Sequence, residues 1–533
     1  LASTEDTRRS RVSENTSIFA GATALSRLAG LAREVIAANY FGTSARFSAF
    51  TIASQIPNLM SNLFAQAALS AAFVPVFTEL LQEGRRKEAF RLATTLFWIV
   101  MLVLGALTAL GILLAGIVLP ALGGKDFDGH AAAVMTQIMF PVVLLLGLSG
   151  VLTGILQSYD QFSIPALAPV VWNGVILLLV ILLHNHFGKN GVYGYAVAWL
   201  VATFVQMAMI ASALRRIDYR LSFEIDWHDP RIRQVFTLML PVTVGLGIIN
   251  LDALINSTMG ALVHTRQPGA GPAAIRYAFL LYMLPQGIFS VAVSTVLFPT
   301  LSRQAARRAP AQMRHTLGNG MRQINLLLIP SAVGLLVLAR PITRLVFLRG
   351  TFNNVSLDLT SEALFWFAFS LPFAGINLLL TRTFFALQRP WIPTKLAAIN
   401  MTVDIIVSVG LYKPLGIAGL VIGTATANIV MAYLQIRRMR IGFNGRLELD
   451  QTAMITARIV LASVITAAVA RLVWSLFDHL LGTSFPAEIV SVGVAVVAAG
   501  AFYAWAIRRM RVPEWQQIEL MFRRLWRRIA ANV

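Results

Sequence analysis

The sequence predicts an all-α, polytopic membrane protein of about fourteen transmembrane helices, in two six-helix lobes followed by a C-terminal helix pair. Three observations predict this. Of 533 residues, 57% are hydrophobic and 13% charged, where a soluble domain carries roughly 25% charged residues. Apolar runs of about 20 residues recur from end to end, each long enough to cross a hydrocarbon core of about 30 Å. The basic residues fall mainly in alternate connections between these runs.

Backbone groups inside a bilayer find no water, so a spanning segment is a helix or part of a closed barrel. The runs here are continuous rather than alternating, which selects helices. Reading along the chain places them at 15–41, 46–78, 90–119, 131–157, 164–184, 191–214, 232–263, 275–302, 320–346, 358–387, 392–411, 416–436, 453–478 and 486–507. The first run is interrupted by Arg27 and Arg33 and has no small-residue cleavage motif, so no cleavable signal peptide is expected.

Counting residues toward the ends of these runs with the adjoining connection, 31 of the 44 Lys and Arg residues fall on one side and 9 on the other, leaving Arg27, Arg33, Arg458 and Arg471 within helices. The positive-inside rule makes the richer side cytoplasmic, with both termini on it. It also accounts for the net charge of +20 without a nucleic-acid partner. There are no cysteines, which excludes disulfides, thiolate catalysis and Cys-based metal sites. After Pro513, apolar residues from Trp515 to Ile529 alternate with arginines. The segment 511–533 reads as a basic amphipathic tail on the inner leaflet, with a tail packed on the helices as the alternative.

Prolines mark an internal repeat. Pro57, Pro75, Pro141 and Pro165 are followed by Pro285, Pro299, Pro372 and Pro393, at offsets of 228, 224, 231 and 228 residues. Gly191 opens GVYGYAVA and Gly416 opens GIAGLVIG. The expected units are an N-terminal lobe at 1–216, a cytoplasmic linker at 217–231, a C-terminal lobe at 232–440, a helix pair at 441–510 and the tail. Six helices per repeat keep the halves in one orientation, as in transporters that carry substrate between rocking lobes. Proline bends a membrane helix and frees a carbonyl, so matched prolines suit a gate.

Charges inside spans cost a few kcal/mol each and mark wet cavities or pairs. In the first helix, Ser26 to Glu34 reads SRLAGLARE. Arg27 and Glu34 share a face, and a bend at Gly30 would bring Arg33 toward Arg27. Arginine forks fit phosphate oxygens, so the pair is a candidate anion site; a snorkelling Arg–Glu pair is the alternative. Asn58, Asn62 and Gln66 form a stripe on the second helix that either lines a cavity or bonds a neighbouring helix. Asp252 on the seventh helix, beside Asn250 and Asn256, and Asn400 and Asp404 on the eleventh supply oxygens for a hard monovalent cation or a proton, with a hydroxyl from Thr424. Two separate packing carboxylates are the alternative. His184 and His186 read as solvated. No phosphate loop, catalytic triad or metalloprotease motif occurs, so no enzyme activity is expected.

At SRLAGLARE, at Ile56 to Phe77 (IPNLMSNLFAQAALSAAFVPVF), at Phe162 to Asn173 (FSIPALAPVVWN) and at Leu240 to Asn256 (LPVTVGLGIINLDALIN), the chain resembles the MurJ/MviN family of the MOP exporter superfamily. That resemblance implies a flippase of the bacterial inner membrane, moving lipid II, a polyprenyl-diphosphate-linked precursor of peptidoglycan, from the inner to the outer leaflet by alternating access. Arg27 and Arg33 match the family's first-helix arginines, which implies that they meet the anionic glycan head; Glu34, Asn58, Asn62, Gln66 and Arg276 are the further candidate contacts read from this chain. It also implies that a sodium ion, the one cofactor expected, sits at Asp252, Asn400, Asp404 and Thr424. Membrane lipids and cell-wall synthesis proteins are the other expected partners. Three positions charged in the family are neutral here, at Ser61, Gln66 and Leu280, with Arg276 one turn from Leu280. Those departures keep two alternatives: an exporter of another lipid-linked glycan or small amphiphile, and a cell-wall scaffold that transports nothing.

Overall fold

The computed structural model describes residue 22 and residues 25–64, 67–122, 127–159, 161–187, 191–217, 226, 229–445 and 447–515. Every element among them is helical. In chain order these are α1 (25–41), α2 (Ala45–Phe64), α3 (Ala67–Gln82), α4 (Arg86–Leu122), α5 (Gly129–Met139), α6 (Pro141–Ser158), α7 (Ser163–Phe187), α8 (Gly191–Ala213), α9 (Pro230–Ala261), α10 (Gly271–Pro285), α11 (Val291–Ala306), α12 (Pro310–Phe347), α13 (Asn354–Ala386), α14 (Trp391–Gly442), α15 (Leu449–Leu481) and α16 (Phe485–Arg509). Among the described residues, ten helical spans are long and apolar enough to cross a bilayer. Side chains such as Leu113, Ile117, Leu472 and Val497 stand about 70% exposed, the surface a chain presents to lipid rather than to water.

Four predicted segments are built differently from single straight helices, and proline or glycine accounts for three of them. The segment 131–157 divides at Phe140 because Pro141 opens α6, where its missing N–H is tolerated. The segment 275–302 becomes α10 and α11 joined by a π-turn at Gln286–Ser290, directly after Pro285. In α12 the helix breaks at Leu338 (φ −106°, ψ 17°), where the ring of Pro341 crowds the carbonyl four residues earlier. The segment 46–78 appears as α2 and α3, and the two residues between them lie outside the described ones. Two of the four proline pairs keep matched places, Pro75 and Pro299 each the ninth residue of their helix and Pro165 and Pro393 each the third, whereas Pro141 opens α6 and Pro372 lies inside α13.

The predicted helices 392–411 and 416–436 are the two arms of α14. Gly416 (φ 58°, ψ −131°) turns the chain between them. Hydrogen bonds and close approaches nest around the turn: Leu411 against Gly419, Ser408 to Leu420, and Asp404 to Thr424. That nesting defines an antiparallel helical hairpin.

Packing divides the chain into two compact units. One holds residues up to Ala273 together with Arg349–Asn353, and the other holds Ala274–Leu348 and Asn354–Val533. Helix α9 therefore groups with the first unit, where it packs on α2 and α3, although the repeat assigns it to 232–440. The repeat follows internal sequence similarity and the units follow neighbours in space, so the two boundaries answer different questions. The interior of the first unit is built on Phe73, Phe77, Leu92, Leu96, Val143 and Ile155.

In the second unit, α15 and α16 are fixed to α12 at both ends. Arg322 is 3% exposed. It donates from Nε to Glu514 and from Nη1 to Glu448 Oε2 at 3.2 Å. At the other end, Arg344 Nε donates to Glu488 Oε1 at 2.5 Å, and Nη1 lies 3.5 Å from Asp478. The two arginines are 22 residues apart, about 33 Å of helix, close to the hydrocarbon thickness. Between them Leu326, Ile459 and Ile507 pack together, with Trp515 against the same cluster. The described start of the tail, Glu514 and Trp515, is thus held by the helices; residues 516–533 lie outside the described ones. Burial raises the pKa of Glu448, and hydrogen bonds from His315 and Arg322 more than offset it, holding the carboxyl below its ordinary range. In the first unit, Arg85 and Arg231 both hydrogen-bond Glu88, tying the start of α4 to the start of α9.

Candidate substrate and cation sites

Arg33 is the better defined of the two predicted anion ligands. Its Nη1 donates to Asn173 Oδ1 at 2.9 Å and its Nη2 to Glu34 Oε1 at 2.8 Å. Its guanidinium carbon sits 4.9 Å from the Trp172 ring centre and 5.4 Å from that of Trp199. The two indoles meet edge to face at 5.0 Å. Trp172 Nε1 donates to Thr203 Oγ1 at 3.0 Å, and Asn173 Nδ2 donates to the Pro169 carbonyl at 2.9 Å. Each partner is itself anchored, so the guanidinium is held at 13% side-chain exposure and Glu34 at 5%. A cation over an aromatic face gains most where water is excluded.

Arg27 is exposed on the same helix. Gly30 lies inside an unbroken α1, facing Asn173. The expected bend toward Arg27 is therefore not made, because α7 supplies the partner for Arg33 instead. Glu34 accordingly pairs with Arg33, its chain neighbour. Asn58 is half-buried on α2, and the side chains of Ser61, Asn62 and Gln66 lie outside the described ones. Arg276 is half-buried on α10, in the second unit.

The predicted cation ligands divide between the units. Asp252 is half-buried on α9 in the first; Asn400, Asp404 and Thr424 belong to the α14 hairpin in the second. Asp404 is 1% exposed. Its Oδ1 accepts from the Ser408 hydroxyl at 3.0 Å and its Oδ2 from the Thr424 hydroxyl at 3.2 Å. Asn400 stands one turn away on the same arm, with its Nδ2 buried and without a hydrogen-bond partner. Carboxylate, hydroxyl and amide oxygens are the donor set of a hard cation, so these residues fit sodium. No group of three or more His, Cys, Asp or Glu side chains gathers among the described residues.

The hairpin closes tightly on this carboxylate because Gly423 has no side chain. A Cβ there would lie 2.1 Å from Ser408 Oγ and 2.8 Å from Asp404 Oδ1. Gly423→Ala is expected to push the Ser408 hydroxyl off Asp404 and to destabilise the chain by about 1–3 kcal/mol, the usual range for overpacking. A thermal melt of the purified variant checks this; an unchanged midpoint would contradict the packing.

Comparison with known proteins decides the family. Residues 37–494 match the family model described as lipid II flippase MurJ. The chain belongs to the MurJ lipid II flippase family. A protein of Rhizobium meliloti named probable lipid II flippase MurJ is 30% identical over 423 residues, covering 78% of this chain and 77% of its own length. The lipid II flippase MurJ of Burkholderia cenocepacia is 30% identical over 431 residues, covering 78% and 82%. Among solved structures, a lipid II flippase MurJ in an inward closed conformation superposes with a TM-score of 0.76 at 22% identity, covering 92% of this chain and 99% of its own. An inward-facing multidrug resistance MATE transporter of the MOP superfamily superposes at 0.68 with 14% identity, covering 79% and 94%. This MurJ family member is accordingly a multi-pass membrane protein with the MOP fold.

Sequence reasoning did not single out Trp172, Asn173, Trp199 or Thr203 as partners of Arg33. A signal was present: a buried arginine needs acceptors, and a Trp-Asn pair is unusual inside an apolar helix.

Proposed function

We propose that this protein moves lipid II from the inner to the outer leaflet of the bacterial inner membrane by alternating access, with both termini in the cytoplasm. The observation that carries the reading is the Arg33 guanidinium of α1, bonded to Glu34 and Asn173 beside two indole rings. Arg33 is held in place by Glu34, Asn173 and two indole faces. A diphosphate offers the second anionic partner that such a guanidinium accepts bidentately. Arg27, exposed two turns away, supplies the other positive charge. Entry of the diphosphate would compete with Glu34 for the Arg33 fork, so Glu34 both stores the cation and sets the cost of binding. Asn58, Asn62 and Gln66 are the further proposed contacts to the glycan head.

A sodium ion held by Asn400, Asp404 and Thr424 would supply the charge that favours one state of the cycle. A ligand shifts such an equilibrium only through its differential affinity for the two states.

The test is reconstitution of the full chain in liposomes with fluorescent lipid II, with and without sodium. Flipping that needs the protein and slows without sodium is the expected result. Absence of flipping by protein that is folded in the bilayer would overturn the reading. A polyprenyl-diphosphate glycan without the pentapeptide serves as comparison cargo, and equal rates would move the assignment to a general lipid-linked glycan exporter.

A further inference from the structure

The polar residues of the second unit do not stop at Asp404. Along the second arm of α14, Thr424, Asn428 and Gln435 occupy positions i, i+4 and i+11, within about 40° of one face at 100° per residue. Asn377 and Thr381 stand one turn apart on the facing helix α13. Hydrogen bonds to side chains and to backbone carbonyls recur along this face. Thr424 Oγ1 donates to Asp404 Oδ2 at 3.2 Å. Asn428 Nδ2 donates to the Thr424 carbonyl at 3.0 Å. Asn377 Nδ2 donates to the Asn428 carbonyl at 3.0 Å. Further along, Gln435 Nε2 donates to Thr381 Oγ1 at 3.0 Å. From Thr424 to Gln435 the track covers about 16 Å of helix, roughly half the hydrocarbon thickness. It ends two residues before the exposed Arg437 and Arg438.

The direction of the donors is the telling feature. In the linked part of the chain each donor points toward the buried carboxylate. The amide oxygens are left over: Asn377 Oδ1 and Gln435 Oε1 have no hydrogen-bond partner, in residues 7% and 0% exposed. The Asn377 amide cannot be reversed, because its nitrogen faces a carbonyl that accepts only a donor. Amide oxygens are a ligand type of a hard cation shedding water.

The geometry points to a relay for a monovalent cation between Asp404 and the arginine-bearing end of α14, with Asn377 Oδ1 and Gln435 Oε1 as its oxygen stations. It rests on the reading of Asp404 as a sodium site and adds the path by which the ion reaches and leaves it. Thr424 belongs to the site and Asn428 joins site to path. Neither station touches Asp404, so both act on the rate of exchange and not on the affinity.

The experiment uses the full chain in nanodiscs, with radioactive sodium as the probe. Equilibrium binding gives Kd, and release after rapid dilution gives the exchange rate. For Asn377→Leu combined with Gln435→Met, Kd is expected to stay within about twofold while release slows by about tenfold, equivalent to about 1.4 kcal/mol of barrier. Gln435→Met alone, further from the site, is expected to slow release without moving Kd and guards against misfolding of the double variant. Asp404→Asn is expected to abolish binding. Normal binding with release at the wild-type rate in both variants would overturn the relay and leave the sodium site standing. A matching loss of affinity would also overturn it, by making the two amides part of the site. Absence of saturable sodium binding in the wild-type chain would overturn the site and the relay together.

Discussion

Arg322→Ala is expected to lower the stability of the chain by about 3–5 kcal/mol, the range for removing one partner of a buried ion pair. The cost comes less from the lost attraction than from what remains. Glu514, 3% exposed at the side chain, and Glu448 would be left without the guanidinium that satisfies them. Both anions would then face each other, at the point where α12, the start of α15 and the segment after α16 meet. Gly318 sharpens the effect, because a Cβ there would lie 2.9 Å from Glu448 Oε2 and 3.2 Å from Arg322 Nη1. The three groups fit together with no slack. Replacing Arg322, Glu448 and Glu514 together by Met, Leu and Leu is expected to recover most of the loss, since an apolar trio of similar volume carries no desolvation penalty. Thermal melts of the two variants decide it. A single variant as stable as the wild type would mean the pair is not formed.

Arg33→Ala is expected to reduce lipid II flipping at least about tenfold and to destabilise the first unit at the same time, again by stranding a buried carboxylate. The two effects separate in a double variant. Arg33→Ala with Glu34→Ala removes both charges, so stability is expected to return while flipping does not. Arg33→Lys gives the intermediate case. The charge remains, but an ammonium cannot lie flat against Trp172 and Trp199 while bonding Asn173 and Glu34. Flipping assays and melts on the same preparations give the comparison. If the double variant recovers both, Arg33 is a packing residue and the anion site lies elsewhere.

Much of the architecture was legible because a bilayer restricts the choices. The long apolar run in α4 can be only a helix, and the doublet of segments at 392–411 and 416–436 turns at Gly416, where the two meet. Arg27, Arg33, Glu34 and Asp404 stood out for the same reason, since a charge inside hydrocarbon is rare enough to be noticed one residue at a time. The partners were a different matter. Asn173 is 140 residues from Arg33 and Glu514 is 192 from Arg322, and no local period connects them. Arg322 looked like one more cation of the cytoplasmic side and proved to be a buried hub.

The sequence by itself determined that the chain is a set of apolar helices and which residues inside them carry charge, and it led to the expectation of two repeated halves. These follow from hydropathy, charge and proline spacing, which are local properties. Only the tertiary structure decided which carboxylate holds which arginine, that a two-indole slot receives Arg33, and that the amides of α13 and α14 line up with Asp404. Burial and pairing depend on distances between segments far apart in the chain, and the energy of a buried charge is set by those neighbours and not by its own identity.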